Sequence, residues 1–123
     1  MIAMKRVLLV EDSPIIQAAA VHALTSAGYQ VSARSTFDEL LAQGIDGYDL
    51  ILMDVQMPEL YGDDVASVLR NERGITTPIY LFSSLAPGEL AARATAAQVD
   101  GYISKSEGMD HLVTCVREIL KDA

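Results

Sequence analysis

The sequence predicts an α/β domain, an open parallel sheet with helices on both faces, and three observations lead to it. Apolar runs of four to six residues alternate with longer amphipathic stretches, giving five βα units in series. Three of the runs, KRVLLV, DLILMD and PIYLFS, are apolar through their centres, as interior strands of a parallel sheet must be. No repeat, low-complexity tract or shift of composition marks a linker, so one domain is expected over residues 1–123.

Taken in order, the first strand is KRVLLV (5–10), followed by a helix over Pro14–Ala27. Asp12 or Ser13 can cap that helix, Pro14 suits its first turn, and Gly28 suits its stop. The second strand, YQVSAR (29–34), carries polar Gln30, Ser32 and Arg34 and is expected at a sheet edge. A short helix over Phe37–Gln43 leads to the third strand, DLILMD (49–54), and a helix over Asp63–Asn71 follows. Pro78 opens the fourth strand, PIYLFS (78–83), where its missing N–H does least harm. A helix over Gly88–Gln98, the strand GYIS (101–104) and a helix over Glu107–Lys121 complete the pattern. Right-handed crossovers between parallel strands place helices on both faces.

Composition excludes several functions. The chain has no run of eighteen apolar residues that could span a membrane, and at 50% hydrophobic residues it is not a disordered segment. MIAMKRVLLVED turns acidic at once and lacks the cleavage pattern of a secretory signal. A single cysteine, Cys115, allows no internal disulfide, so a cytoplasmic setting is expected. Seventeen acids against nine lysines and arginines give a net charge of −8, which repels a polyanion, so no direct nucleic-acid binding is expected. Met1 and the well-finished last helix lean toward a free-standing chain.

The charges that break the apolar runs sit at strand ends. Ligand sites on open α/β sheets lie beyond the carboxyl ends of the strands, where strand order reverses. If the first and third strands are neighbours there, Glu11 and Asp12 fall beside Asp54, and three carboxylates share one crevice. Such a group raises its own pKa values or recruits a cation, and Mg2+ suits carboxylates, water and incoming phosphate oxygens. The fourth strand ends on the hydroxyl of Ser83 and the fifth leads to the cation of Lys105. Together these can orient a phosphoryl group, and a carboxylate can itself be the nucleophile, for which central Asp54 is best placed. Each residue alone has a bland account: Glu11 and Asp12 as helix-capping acids, Asp54 and Ser83 as turn residues, Lys105 as a solvated lysine. Their joint occurrence at four strand ends of one series is what those separate accounts leave over.

In this ordered set the chain resembles the receiver domain of two-component response regulators, from VLLVEDSP through LILMDVQMPELYG, PIYLFSS and GYISK. The resemblance implies a flavodoxin-like doubly wound five-stranded sheet of order 2-1-3-4-5 with five helices. It implies that Glu11 and Asp12 are the Mg2+-binding pair, that Asp54 is phosphorylated, and that Gln56 gives a backbone carbonyl to the metal. Ser83, rather than Ser84, corresponds to the switch hydroxyl, Lys105 to the phosphate-binding lysine and Tyr102 to the aromatic that changes rotamer. There are departures. Tyr61-Gly62 stands where Asp-Gly is common, with Gly62 still able to take a left-handed turn; Ser106 replaces the usual proline after the lysine, which would free that loop; and serine replaces the commoner threonine at 83. Leu85 is apolar where a polar residue could orient an attacking water, so slow dephosphorylation is expected.

The resemblance further implies phosphoryl transfer from a sensor histidine kinase or a histidine phosphotransfer protein, with a downstream protein effector and possible homodimerisation on phosphorylation. Such a protein is a switch rather than an enzyme. Helix one is apolar on more than its core stripe, and Ile15, Ala18, Ala19 and His22 are the expected partner-docking residues beside the acidic crevice. The competing readings are a receiver-like interaction module that is never phosphorylated, an aspartate-nucleophile phosphatase, and a flavin-binding relative. Gln56 stands where the phosphatase would want a second acid, and EDSP is acidic where a flavin phosphate loop would be rich in hydroxyls and glycine.

Overall fold

In the computed structural model, which describes residues 4–58 and 60–121, the apolar runs become β1 (Arg6–Val10), β2 (Gln30–Arg34), β3 (Leu50–Met53), β4 (Ile79–Ser83) and β5 (Gly101–Ser104). All pair in parallel in the order β2-β1-β3-β4-β5. The helices are α1 (Pro14–Ser26), α2 (Phe37–Gln43), α3 (Gly62–Asn71), α4 (Pro87–Ala97) and α5 (Met109–Leu120). The topology and the edge position of β2 match the expectation from its polar residues.

Strand alternation splits the core into two layers. Leu8, Val10, Ile51, Met53, Ile79 and Leu81 point to one face and pack with α2, α3 and α4. Val7, Leu9, Leu50, Leu52 and Phe82 point to the other and pack with α1 and α5. Burying each such side chain contributes about 1.5–3 kcal/mol, which fixes register, because a one-residue slip would exchange the two layers.

Register places the charged residues. Val10 lies opposite Met53 and Ser83 opposite Ser104, so Glu11, Asp54 and Lys105 leave the sheet at one rim. The Asp54 N–H donates to Val10 O at 2.9 Å and the Glu11 N–H to Arg34 O at 2.9 Å, holding both backbones to the sheet just beyond the strands.

Several boundaries differ from the expectation, for local reasons. Ser13, not Asp12, caps α1, its hydroxyl accepting the Ile16 N–H. α4 ends at Ala97, one residue early, because Gln98 turns left-handed at φ 61° and its N–H is taken by the last turn. α5 begins at Met109 rather than Glu107, since Lys105–Glu107 forms a 3-10 turn and Gly108 breaks the helix at φ 91°. The loop after Lys105 is therefore ordered as a tight turn without proline. Gly62 is not a left-handed turn residue but the first residue of α3, and its need for glycine is close approach: a Cβ there would lie 1.7 Å from Asp54 O. Arg34 is buried rather than an exposed edge residue, its guanidinium donating to Ala33 O and the Tyr48 hydroxyl.

Candidate metal centre

β1 delivers Glu11 and Asp12, β3 delivers Asp54, and the turn after β5 delivers Lys105. Glu11 is fully buried and Asp54 nearly so, while Asp12 is half-exposed. One carboxylate oxygen from each of the three acids lies within 4.8 Å of the others. The Lys105 ammonium sits among them, 2.6 Å from Glu11 Oε1 and 3.3 Å from Asp54 Oδ1. Glu11 Oε2 accepts the Ser13 N–H at 3.1 Å, whereas Oε1 accepts no well-aligned hydrogen bond and is compensated by the ammonium alone among the described residues.

This balance leaves one positive charge against three acids. Burial pushes the Asp54 carboxyl up to about 7; Lys105 opposes the rise, and the neighbouring Glu11 and Asp12 carboxyls add to it. A hard divalent cation relieves that excess, and an all-oxygen carboxylate set with one ligand open to water fits Mg2+. The residues present therefore fit the metal that the pattern of strand ends suggests.

The other residues singled out in the sequence are placed around this pocket. Gln56 follows Asp54 on the same loop, and its N–H donates to Asp54 Oδ1 at 3.3 Å. Ser83 is buried and its Oγ accepts the Leu85 N–H at 3.2 Å, whereas Ser84 is exposed. Tyr102 is exposed on the edge strand β5. On α1, Ile15, Ala18 and His22 are exposed and Ala19 half-buried. Gln17, which the sequence does not single out, donates from Nε2 to Glu11 O and to Ser35 Oγ, tying α1 to the ends of β1 and β2. Asp12 also opens onto a cavity of about 270 Å³ walled by Phe37, Met57 and Pro58. Neither Gln17 nor Met57 carries a distinctive signal in sequence, because both placements depend on loops meeting in space.

A five-stranded parallel sheet of order 2-1-3-4-5 with an acidic cluster at its carboxyl rim is the arrangement of a receiver domain of two-component signalling. The chain belongs to the response regulator receiver domain family, which matches residues 7–117. It is 38% identical over 104 residues to a gliding motility regulatory protein of Myxococcus xanthus, covering 83% of this chain and 13% of that protein. It is 31% identical over 119 residues to the transcriptional regulatory protein KdpE of Mycobacterium tuberculosis, covering 96% of this chain and 52% of the relative. The chain thus spans about half or less of the length of these curated relatives.

Among solved structures, it matches the chemotaxis protein CheY4 of Vibrio cholerae with a TM-score of 0.84 at 28% identity, over 96% of this chain and 100% of that one. It matches TrrA of Thermotoga maritima, solved in complex with Mg2+-BeF, with a TM-score of 0.79 at 28% identity, over 95% of this chain and 100% of that one. The acidic pocket of Glu11, Asp12 and Asp54 is typical of receivers that are phosphorylated. Among the described residues no helix is long and apolar enough to cross a membrane.

Proposed function

We propose that the chain is a phosphorylation-dependent switch in which Asp54 accepts a phosphoryl group from a histidine kinase or histidine phosphotransfer protein. The observation that carries this reading is the convergence of three carboxylates and one ammonium in a largely buried pocket, where the acid excess calls for a divalent cation. An Asp54 carboxylate oxygen forms the new P–O bond as the P–N bond to imidazole breaks, its electron pair staying on the ring nitrogen. Glu11, Asp12, Asp54 and the Gln56 carbonyl are the residues that would hold Mg2+, which neutralises phosphoryl charge when bound. Lys105 moves from Glu11 to a phosphoryl oxygen, and the Ser83 hydroxyl turns from the Leu85 N–H to donate to another. Those two movements draw in the ends of β4 and β5, and Tyr102 follows, shifting the population between two binding surfaces.

The kinase side docks on the outward face of α1 at Ile15, Ala18, Ala19 and His22; the effector, or a second phosphorylated copy, reads the α4–β5–α5 side. Residues 1–123 form one receiver domain that acts in the cytoplasm. Incubation with Mg2+ and acetyl phosphate followed by intact mass tests the reading: a gain of one phosphoryl group that is lost in Asp54→Ala supports it. A folded protein that gains nothing supports the alternative, a receiver-like interaction module that works without phosphorylation. Leu85 packs against the core and offers no polar group to a water, so the phosphoryl group should persist well beyond seconds in a time course of the intact mass. Loss within seconds contradicts that expectation.

A further inference from the structure

The groove between α2 and α3 has no part in the chemistry above. Phe37, Leu40 and Leu69 form its floor, and Leu41, Leu60 and Val68 stand along it 62%, 55% and 44% exposed. Single exposed apolar residues are ordinary, but here three large ones share one groove of about 220 Å³. That space takes one or two side chains. Through Phe37 it continues into the cavity beside Asp12, and Arg73 stands at its other end.

Charge decides what fits. On α3 and its C-cap, Asp64 and Glu72 lie one turn before and after Val68, and on α2, Asp38 lies one turn before Leu41, so acids flank the exposed apolar residues on the same helix faces. Asp46 stands at the lower end of the groove beside Arg73. All four acids are exposed and none makes an ion pair within the described residues. A second copy of this chain would bring like charges together, on top of a net charge of −8.

We propose that the α2–α3 groove docks a cationic amphipathic helix of another protein. Two of its large apolar side chains, one turn apart, enter between Leu41, Leu60 and Val68, and flanking lysines or arginines reach Asp38, Asp64 and Glu72. The Arg73 guanidinium, with no ion pair among the described residues, receives the carboxyl end of the helix, which leaves its amino end facing Asp12. The occupant therefore touches the loops that carry Asp12 and Met57, next to the metal centre.

The test titrates the whole chain, labelled with ¹⁵N, with a synthetic helix of about fourteen leucines and lysines patterned on one apolar face, and with a scrambled peptide of the same composition. The expected result is saturable binding tighter than about 1 mM, with amide shifts confined to α2, α3 and the loops above them, and none for the scrambled peptide. Leu41→Asp and Val68→Asp add attractive negative charge yet remove the apolar anchor, and at exposed positions they leave the fold intact, which circular dichroism checks. Each should weaken binding at least about tenfold, while Thr25→Asp on the opposite face of the sheet leaves it unchanged or slightly tighter. Binding that is tightened or untouched by the groove variants is mere charge attraction and overturns the proposal, as does the absence of saturable binding. A dimer seen by sedimentation without peptide and lost in Val68→Asp assigns the groove to a second copy and overturns it equally.

Discussion

Asp54 is held where its charge is least welcome. Its carboxyl titrates near 7 because burial removes water and Glu11 adds like charge, with Lys105 supplying partial relief. In the unfolded chain the same group titrates in the ordinary carboxylate range, so between that range and about 7 the folded state binds a proton that the unfolded state has lost. The group's contribution is therefore favourable at low pH and is lost as pH rises through about 7, where the charged, metal-free pocket weakens the fold. Asp54→Asn removes this penalty. In chelator at about pH 8 the variant should be more stable than the parent by roughly 2 kcal/mol in urea unfolding, with the difference shrinking as pH falls toward 5. Mg2+ should raise the melting temperature of the parent and scarcely move that of the variant; a variant stabilised equally by Mg2+ would mean that the ion binds elsewhere. The position of Asp54 is legible in sequence because packing gives an apolar strand no reason to end on an acid. The complete burial of Glu11 is not, since it depends on the length of Lys105 reaching across from another strand end.

Between elements, one side chain of α4 reaches both α3 and the loop before it. Arg93 of α4 donates to both carboxylate oxygens of Asp63 at 3.2 Å, pairs with Glu89 at 3.1 Å on its own helix, and lies 5.1 Å from the Tyr61 ring centroid. Asp63 follows Gly62, whose backbone lies against the Asp54 carbonyl, so this contact ties α4 to the loop of the acidic pocket. In sequence Asp63 reads only as the start of a helix and Tyr61 only as a departure from Asp-Gly, because nothing local says that an arginine thirty residues later will meet both. Helix starts are legible within a residue where a cap or proline marks them, as at Pro14 and Phe37. Boundaries escape where glycine or a left-handed residue decides, as at Gly108 and Gln98. Arg93 is 28% exposed and reaches Asp63 through one nitrogen, so the pair ranks with ordinary partly exposed ion pairs, to which the Tyr61 ring adds a cation–π contact. Arg93→Ala should cost about 0.5–1 kcal/mol and, more tellingly, lower amide protection across Pro87–Ala97 before it lowers protection of the sheet. Equal loss in both would show that the arginine acts only on global stability.

At the scale of the molecule, the sheet is the fixed frame and its carboxyl rim is the adjustable part. The two apolar layers are legible from alternation and from uninterrupted strands, whereas the α2–α3 groove is not, because its walls belong to helices whose spacing no local pattern encodes. Under the proposed function, what links the rim to the far edge is Ser83, buried at the end of β4, the strand between β3, which leads to Asp54, and β5, which leads to Lys105. Its hydroxyl accepts from the Leu85 N–H, and Leu85 packs on the layer that also holds Leu90 and Ala94 of α4, so a hydroxyl that turns to a phosphoryl oxygen must rearrange the first residues after β4. Ser83→Ala removes that link while leaving the carboxylates and the lysine in place. The variant should still take up a phosphoryl group from acetyl phosphate and Mg2+. In the parent, beryllofluoride should change amide exchange across α4 and β5; in Ser83→Ala that change should shrink severalfold, while protection of the Asp54 loop remains. A full response in the variant would place the coupling in Lys105 and the turn after β5 instead. Failure to take up phosphoryl at all would make Ser83 part of the chemistry rather than of its transmission.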